Sequence, residues 1–257
     1  MSPDLGVRVD GAVGTITLDR AVKRNAVSYD MWVALEAACR QLAADPAVRV
    51  VVLRGAGDHF CAGADISDLL ATRPDGEATF MEANMAAESA LATLPKPTIA
   101  VIQGDCIGGG CALAIDCDIR LATDNSRFGI TPAKLGIVYP PASLERAVAL
   151  LGPAAKRLLF TGDLIDATEA HRIGLVDEML AVDAIETRLD ELCATLAQRS
   201  LLTQAATKEM IAAITESGVV CDELAQRWAD EVTTSGEMAE GVAAFQQRRA
   251  PNFPWPT

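Results

Sequence analysis

The sequence predicts an α/β domain followed by a helical carboxy-terminal region, on three observations. Apolar runs of strand length recur at residues 48–53 and 98–102, each leading through small residues toward helix-forming sequence. Residues 7–10 and 13–18 alternate around Gly11-Ala12 as a hairpin does, with Ile16 and Leu18 on one face. From about Pro153 the apolar spacing turns helical, and beyond residue 197 no segment reads as a strand.

Each element has its own local reason. Ser28 precedes an amphipathic stretch in which Met31, Leu35, Ala38 and Leu42 share a face, so it reads as the N-cap of a helix that ends before Asp45-Pro46. Residues 98–102 form a continuous apolar run, as a buried strand does, and pass through Gly108-Gly109-Gly110 into the apolar helix 111–115. Helices are then expected at 155–160, 167–172, 182–199, 201–217, 221–233 and 237–249, separated by Thr161-Gly162-Asp163, Gly218 and Ser235-Gly236. The tail from Ala250, with three prolines in its last seven positions, cannot be helical. No internal repeat of fixed period is visible.

Composition narrows the function. The 257 residues are 50% hydrophobic and 22% charged, which supports a large core and excludes general disorder. Aromatic residues make only 4%, so that core is mostly aliphatic. With 22 Lys and Arg against 35 Asp and Glu, the net charge of −13 opposes nucleic acid and anionic membrane surfaces as partners. The start carries no export signal, and no apolar run reaches the length of a membrane span, so a cytoplasmic protein is expected. Seven scattered cysteines and two histidines form no disulfide framework or zinc motif, and no metal site is expected.

The chemistry lies in two small-residue clusters. Phe60-Cys61-Ala62-Gly63-Ala64-Asp65-Ile66 follows the strand ending at Leu53, and Gly109 stands between a strand and an apolar helix. A helix N-terminus leaves N–H groups unpaired, and missing side chains let an oxygen approach them. Two such points aimed at one oxygen form an oxyanion hole, in which one donor is worth about 2.7–4 kcal/mol in a transition state. The glycine run is neither G-x-G-x-x-G nor a P-loop, which opposes phosphate cradling there.

Asn25-Ala26, the 60–66 cluster, Gly108-Gly109-Gly110, Leu135-Gly136-Ile137-Val138, Phe160-Thr161-Gly162-Asp163, Gly174-Leu175-Val176 and Arg248-Arg249-Ala250-Pro251 occur in an order and spacing that resembles the enoyl-CoA hydratase/isomerase (crotonase) superfamily over nearly the whole chain. The resemblance implies a crotonase (ClpP-like) spiral of ββα units. It implies a core over residues 1–195 that binds acyl-CoA, and a helical region over 196–257 that trimerises and covers the site. It also implies a homotrimer or a dimer of trimers, with coenzyme A present only as part of the thioester substrate and no permanent cofactor. By matching positions, the N–H groups of Ala64 and Gly109 are the oxyanion donors. Lys23, Arg24, Ala26, Ala62, Asp65 and Ile66 fall in the segments that hold coenzyme A, with Lys23 or Arg24 near its phosphates.

The sequence departs from that family at the two glutamates its hydratases use, where Ala112 and Pro132 stand. Neither side chain transfers a proton, and each such step is typically worth about 10²–10⁴-fold. Decarboxylation suits such a site, because departure of CO₂ generates the enolate without proton abstraction. The run from Phe128 to Tyr139 is similar to the Thr-Pro…Leu-Gly…Tyr element of methylmalonyl-CoA decarboxylases, which places Tyr139 at the substrate carboxylate; those enzymes carry histidine where Ala64 stands here. Other proton-transfer candidates are Asp68, Asp116, Glu82, Glu88 and Glu145, while His59 and His171 read as structural. The expected function is therefore an acyl-CoA enzyme acting through an oxyanion-stabilised enolate, a decarboxylase-type lyase. The alternatives are an atypical hydratase or isomerase with another acid or base, a C–C lyase, and a non-catalytic acyl-CoA binding subunit.

Overall fold

The computed structural model describes residues 2–69, 71, 74 and 77–255. Strands β1 (Leu5–Asp10) and β2 (Val13–Leu18) form the expected antiparallel hairpin, and Ile16 and Leu18 are fully buried. Helix α1 (Tyr29–Ala44) starts at Ser28, whose side chain accepts from the Met31 N–H, and it buries Met31, Leu35, Ala38 and Leu42.

Beyond α1 the chain winds as a spiral. Strand β3 (Val50–Gly55) joins the large sheet, Cys61 reaches a smaller sheet, and the chain continues into α2 (Ile66–Leu69) and α3 (Phe80–Ala92). The next turn runs β4 (Thr98–Ile102), β5 (Asp105–Ile107), α4 (Gly109–Asp116), and the next β6 (Ile119–Thr123), β7 (Arg127–Gly129), α5 (Pro141–Leu151). Then come α6 (Ala154–Thr161), β8 (Ile165–Asp166), α7 (Ala167–Arg172), β9 (Glu178–Leu180), α8 (Ile185–Ala197), α9 (Leu201–Ser217), α10 (Asp222–Ser235) and α11 (Glu237–Gln247). The large sheet is ordered β1-β2-β3-β4-β6-β9, parallel from β2 onward, and the small one β5-β7-β8, with Cys61 bridged in parallel to Cys106 on its open side.

The large sheet is covered on both faces, which explains the unbroken apolar runs of β3 and β4. Val51 and Leu53 face the main core, whereas Val50, Val52, Ile99 and Val101 pack on Ile185, Leu189 and Cys193 of α8. Helices α9 and α10 share a separate apolar cluster around Trp228, on which Trp255 packs.

Three expectations need correction. The stretch after Pro153 is not purely helical: β8 and β9 are strands too short to show a period, held only because β7 and β6 offer open edges. The helix expected at 182–199 spans Ile185–Ala197. The helix expected to open at the first small-residue cluster is the single turn α2, so no long helix stands behind Ala64. No helix among the described residues is long and apolar enough to cross a membrane.

One side chain organises the loop between β2 and α1. Asn25 is fully buried at φ 58°; its Oδ1 accepts from the Arg20 N–H at 2.9 Å, and its Nδ2 donates to the carbonyls of Ala56 and His59 at 2.9 and 2.6 Å. Alanine there removes three hydrogen bonds, leaves buried groups unpaired and keeps a left-handed backbone. Asn25→Ala is therefore expected to lose about 2–4 kcal/mol of stability, read as a lower midpoint in urea.

Candidate active site

Backbone pairing builds the first donor. Val27 donates to the Gly63 carbonyl at 2.8 Å and the Asp65 N–H donates to the Val27 carbonyl at 2.9 Å, which makes Ala64 the middle residue of a parallel bridge. In such a bridge the N–H of the middle residue points to the opposite side and remains unpaired. The donor expected from a helix end is thus supplied by strand-like geometry.

The second donor opens α4. Gly108, at φ 55°, donates to the Gly129 carbonyl at 2.7 Å and leaves Gly109 as the first helical residue, whose N–H has no partner in the preceding turn. The two donors are neighbours. A Cβ built on Gly109 would stand 3.4 Å from the Ala64 nitrogen, and one built on Gly63 would stand 3.4 Å from the Gly109 nitrogen. Gly110 permits this approach, because a Cβ there would lie 2.4 Å from the Cys61 carbonyl oxygen.

Both donors line a cavity of about 140 Å³ with mostly apolar walls. Ala62, Ile66 and Tyr139 also line it, as do Trp32, Asn84 and Glu88. The Tyr139 hydroxyl and the Trp32 indole N–H are buried without a hydrogen-bond partner among the described residues. Burial, with the carboxyl of Glu88 nearby, drives the Tyr139 phenol far above its usual range, so it stays a neutral donor.

The remaining predicted binding residues lie off this wall. Lys23 is exposed at the end of a short 3₁₀ turn and makes no ion pair among the described residues. Arg24 is also exposed, but its guanidinium meets the buried carboxylate of Asp105 at 3.0 Å, where Arg127 bonds as well. Ala26 accepts from Arg20. The Asp65 carboxylate turns away from the cavity to Ser67 and Arg20, at 2.7 and 2.5 Å, and these bonds lower its pKa to about 2.

Ala112 is buried on α4, and Pro132 opens a 3₁₀ turn on the cavity wall. Of the five other carboxylates, Asp68 accepts from the Tyr29 N–H, Glu82 closes a capping box with Thr79, and Glu145 is exposed. Asp116 is buried against Arg146 at 2.5 Å. Glu88 alone of the five lines the cavity. It is 3% exposed, accepts from Asn84 Nδ2 at 2.9 Å and Ser143 Oγ at 2.5 Å, and stands 3.7 Å from Arg146. Burial raises its pKa above the usual glutamate value, against the bonds from Ser143 and Asn84. Ser143 and Arg146 come from α5, far along the chain, so the residue spacing around Glu88 carried no sign of them. His59 accepts from the Asp105 N–H and His171 contacts the Val176 carbonyl, both structural roles.

The family model for enoyl-CoA hydratase/isomerase matches residues 8–255. A Mycobacterium tuberculosis protein named a probable enoyl-CoA hydratase is 33% identical over 253 residues, 96% of each chain. The crotonyl-CoA hydratase of Syntrophomonas wolfei is 29% identical over 94% of each chain. The crystal structure of an enoyl-CoA hydratase/carnithine racemase from Magnetospirillum magneticum superposes with a TM-score of 0.91 at 31% identity, covering 98% of this chain and 96% of that one. A match across almost the whole length, together with a crotonase-type spiral, means that the chain belongs to the enoyl-CoA hydratase/isomerase family.

Proposed function

We propose that the protein stabilises the enolate of an acyl-CoA thioester at the N–H groups of Ala64 and Gly109, and forms that enolate by loss of CO₂ from a 2-carboxyacyl thioester. The observation that carries this reading is one cavity in which two main-chain donors stand with a tyrosine hydroxyl that has no partner among the described residues; the resemblance adds that Ala112 and Pro132 stand where the family's hydratases carry their two glutamates. The main-chain pair takes the charge that develops on the thioester oxygen. The neutral Tyr139 hydroxyl donates to the departing carboxylate, and the apolar walls favour release of uncharged CO₂.

On this reading the acyl group passes between Ala62 and Ile66 into the cavity, and the coenzyme A phosphates lie over the 20–27 loop. Lys23, without an ion pair among the described residues, meets them, and Arg24 joins by sharing its guanidinium with Asp105. A second reading, hydration or isomerisation with Glu88 as the base, is favoured by the presence of that carboxyl in the cavity and by the names of the relatives. Incubation with crotonyl-CoA and with methylmalonyl-CoA separates the two. Release of CO₂ with crotonyl-CoA left intact supports decarboxylation, and rapid loss of the unsaturated thioester absorbance overturns it. Binding of both esters without turnover supports a binding subunit.

Assembly as a trimer or a dimer of trimers in the cytoplasm completes the proposal. Phe160 and Phe245 are 76% and 86% exposed in the single chain, apolar surface that a neighbouring subunit covers. Light scattering in solution is expected to give three or six times the mass of one chain; a monomer would contradict it.

Two substitutions test the site. Gly109→Ala puts a methyl group 3.4 Å from the Ala64 nitrogen, within the space the oxygen needs, and is expected to reduce kcat by about 10²–10³-fold with melting temperature nearly unchanged. Tyr139→Phe removes only the hydroxyl. CO₂ release is expected to fall more than affinity for the CoA ester, and an unaltered rate would take Tyr139 out of the chemistry.

A further inference from the structure

Decarboxylation leaves an enolate that must be given a proton, and neither Ala112 nor Pro132 can supply it. We infer that Glu88 is the acid that protonates the thioester enolate, its carboxyl held at the cavity wall by Asn84 and Ser143 and backed by the Asp116–Arg146 pair. The inference rests on the proposed enolate chemistry and adds to it the residue that finishes the reaction.

Geometry carries the assignment. Glu88 lies on α3 facing α4 and α5, and lines the same cavity as Ala64, Gly109 and Tyr139. Asn84, one turn earlier on the same helix, fixes one carboxyl oxygen, and Ser143 from the start of α5 holds the other. Both oxygens are thereby oriented while the group stays at the cavity surface.

Charge balance sets its protonation state. The groups facing Glu88 from the packed elements are Asp116 on α4, Arg146 on α5 and Tyr139 just before α5; Lys208 on α9 acts on Asp116 from further away. Two buried carboxyls therefore share one adjacent guanidinium, and Arg146 lies nearer Asp116, at 2.5 Å, than Glu88, at 3.7 Å. Ionising both would leave a net negative charge out of water, so the pair retains a proton. Burial raises the pKa of each carboxyl. Asp116 is raised the further of the two, so the retained proton belongs to the pair, and Glu88, the member that lines the cavity, is the one that presents it to the substrate.

The bond from C2 to the substrate carboxylate breaks, its electron pair becomes the enolate with charge on the thioester oxygen, and CO₂ leaves. Glu88 then transfers its proton to C2, and its carboxylate recovers a proton from solvent. By microscopic reversibility the ionised Glu88 removes a C2 proton from the saturated product, which makes the same residue visible in an exchange experiment.

The test uses the full chain in D₂O with two probes, methylmalonyl-CoA and propionyl-CoA, and compares wild type with Glu88→Gln. That variant keeps both hydrogen-bonded contacts but cannot donate a proton as an acid. Wild type is expected to yield propionyl-CoA carrying deuterium at C2 in one configuration, and to wash deuterium slowly into added propionyl-CoA. In Glu88→Gln the product is expected as a mixture of configurations, with wash-in slower by about 10² or more and KM changed less than about threefold. The wild-type wash-in rate rises with pH as Glu88 ionises, whereas decarboxylation falls over the same range, because the acid is lost and a second negative charge meets the substrate carboxylate. The variant shows neither dependence. A variant product of the same single configuration, with wash-in within threefold of wild type, overturns the role of Glu88 and leaves the enolate reading standing. A wild type that neither releases CO₂ nor exchanges overturns both. Ser143→Ala, which frees one carboxyl oxygen, serves as a second variant: partial loss of configuration at unchanged KM supports the assignment, and full retention counts against it.

Discussion

Two stretches of main chain, around Cys61 to Ala64 and Ile107 to Gly110, lie against each other with no side chain between them, and the candidate site depends on that contact. Cys61 bridges Cys106, its carbonyl accepts from the Ile107 N–H at 2.9 Å, and Gly110 sits where any Cβ would strike that same carbonyl. Both segments are anchored in the core at Cys61, Cys106 and Cys111, which are fully buried. The position of the two N–H groups is therefore set by packing and hydrogen bonding together. That rigidity is what a charge-stabilising site requires, since donors that must reorganise during the reaction lose most of their advantage.

The spiral explains how separated segments reach this contact. Successive strands of the large sheet feed the small sheet, and each crossing ends in a helix. The ββα turns begin at Val50, Thr98 and Ile119, at unequal intervals, because the first turn carries α2, α3 and the stretch between them. A structural repeat thus exists where the sequence shows no fixed period.

Legibility followed the range of the interactions. Ser28 as a cap, the buried face of α1, the strand at 98–102 and the small-residue clusters were readable because each reflects local propensity or a steric demand on one residue. The strands β8 and β9 were not, since two or three residues hold no period and their pairing partners lie far off in the chain. The same reason hid Glu88. Its neighbours Ser143 and Arg146 come from α5, and only the packing of three helices separates it from Glu82, six residues earlier, which caps a helix in solvent. The resemblance supplied the spiral and the pairing of Ala64 with Gly109, whereas the residues themselves suggested only two places where an oxygen could approach.

The donors that face the thioester oxygen belong to peptide groups, so their placement is indifferent to which functional groups project around them. Side chains at positions 88, 112, 132 and 139 can change without moving Ala64 or Gly109, provided the glycines that allow the close approach persist. Such a scaffold separates where negative charge accumulates from how hydrogen is exchanged with the substrate. One framework can then diversify by relocating a single carboxyl from one helix to another, and chains of nearly superposable shape need not share a reaction.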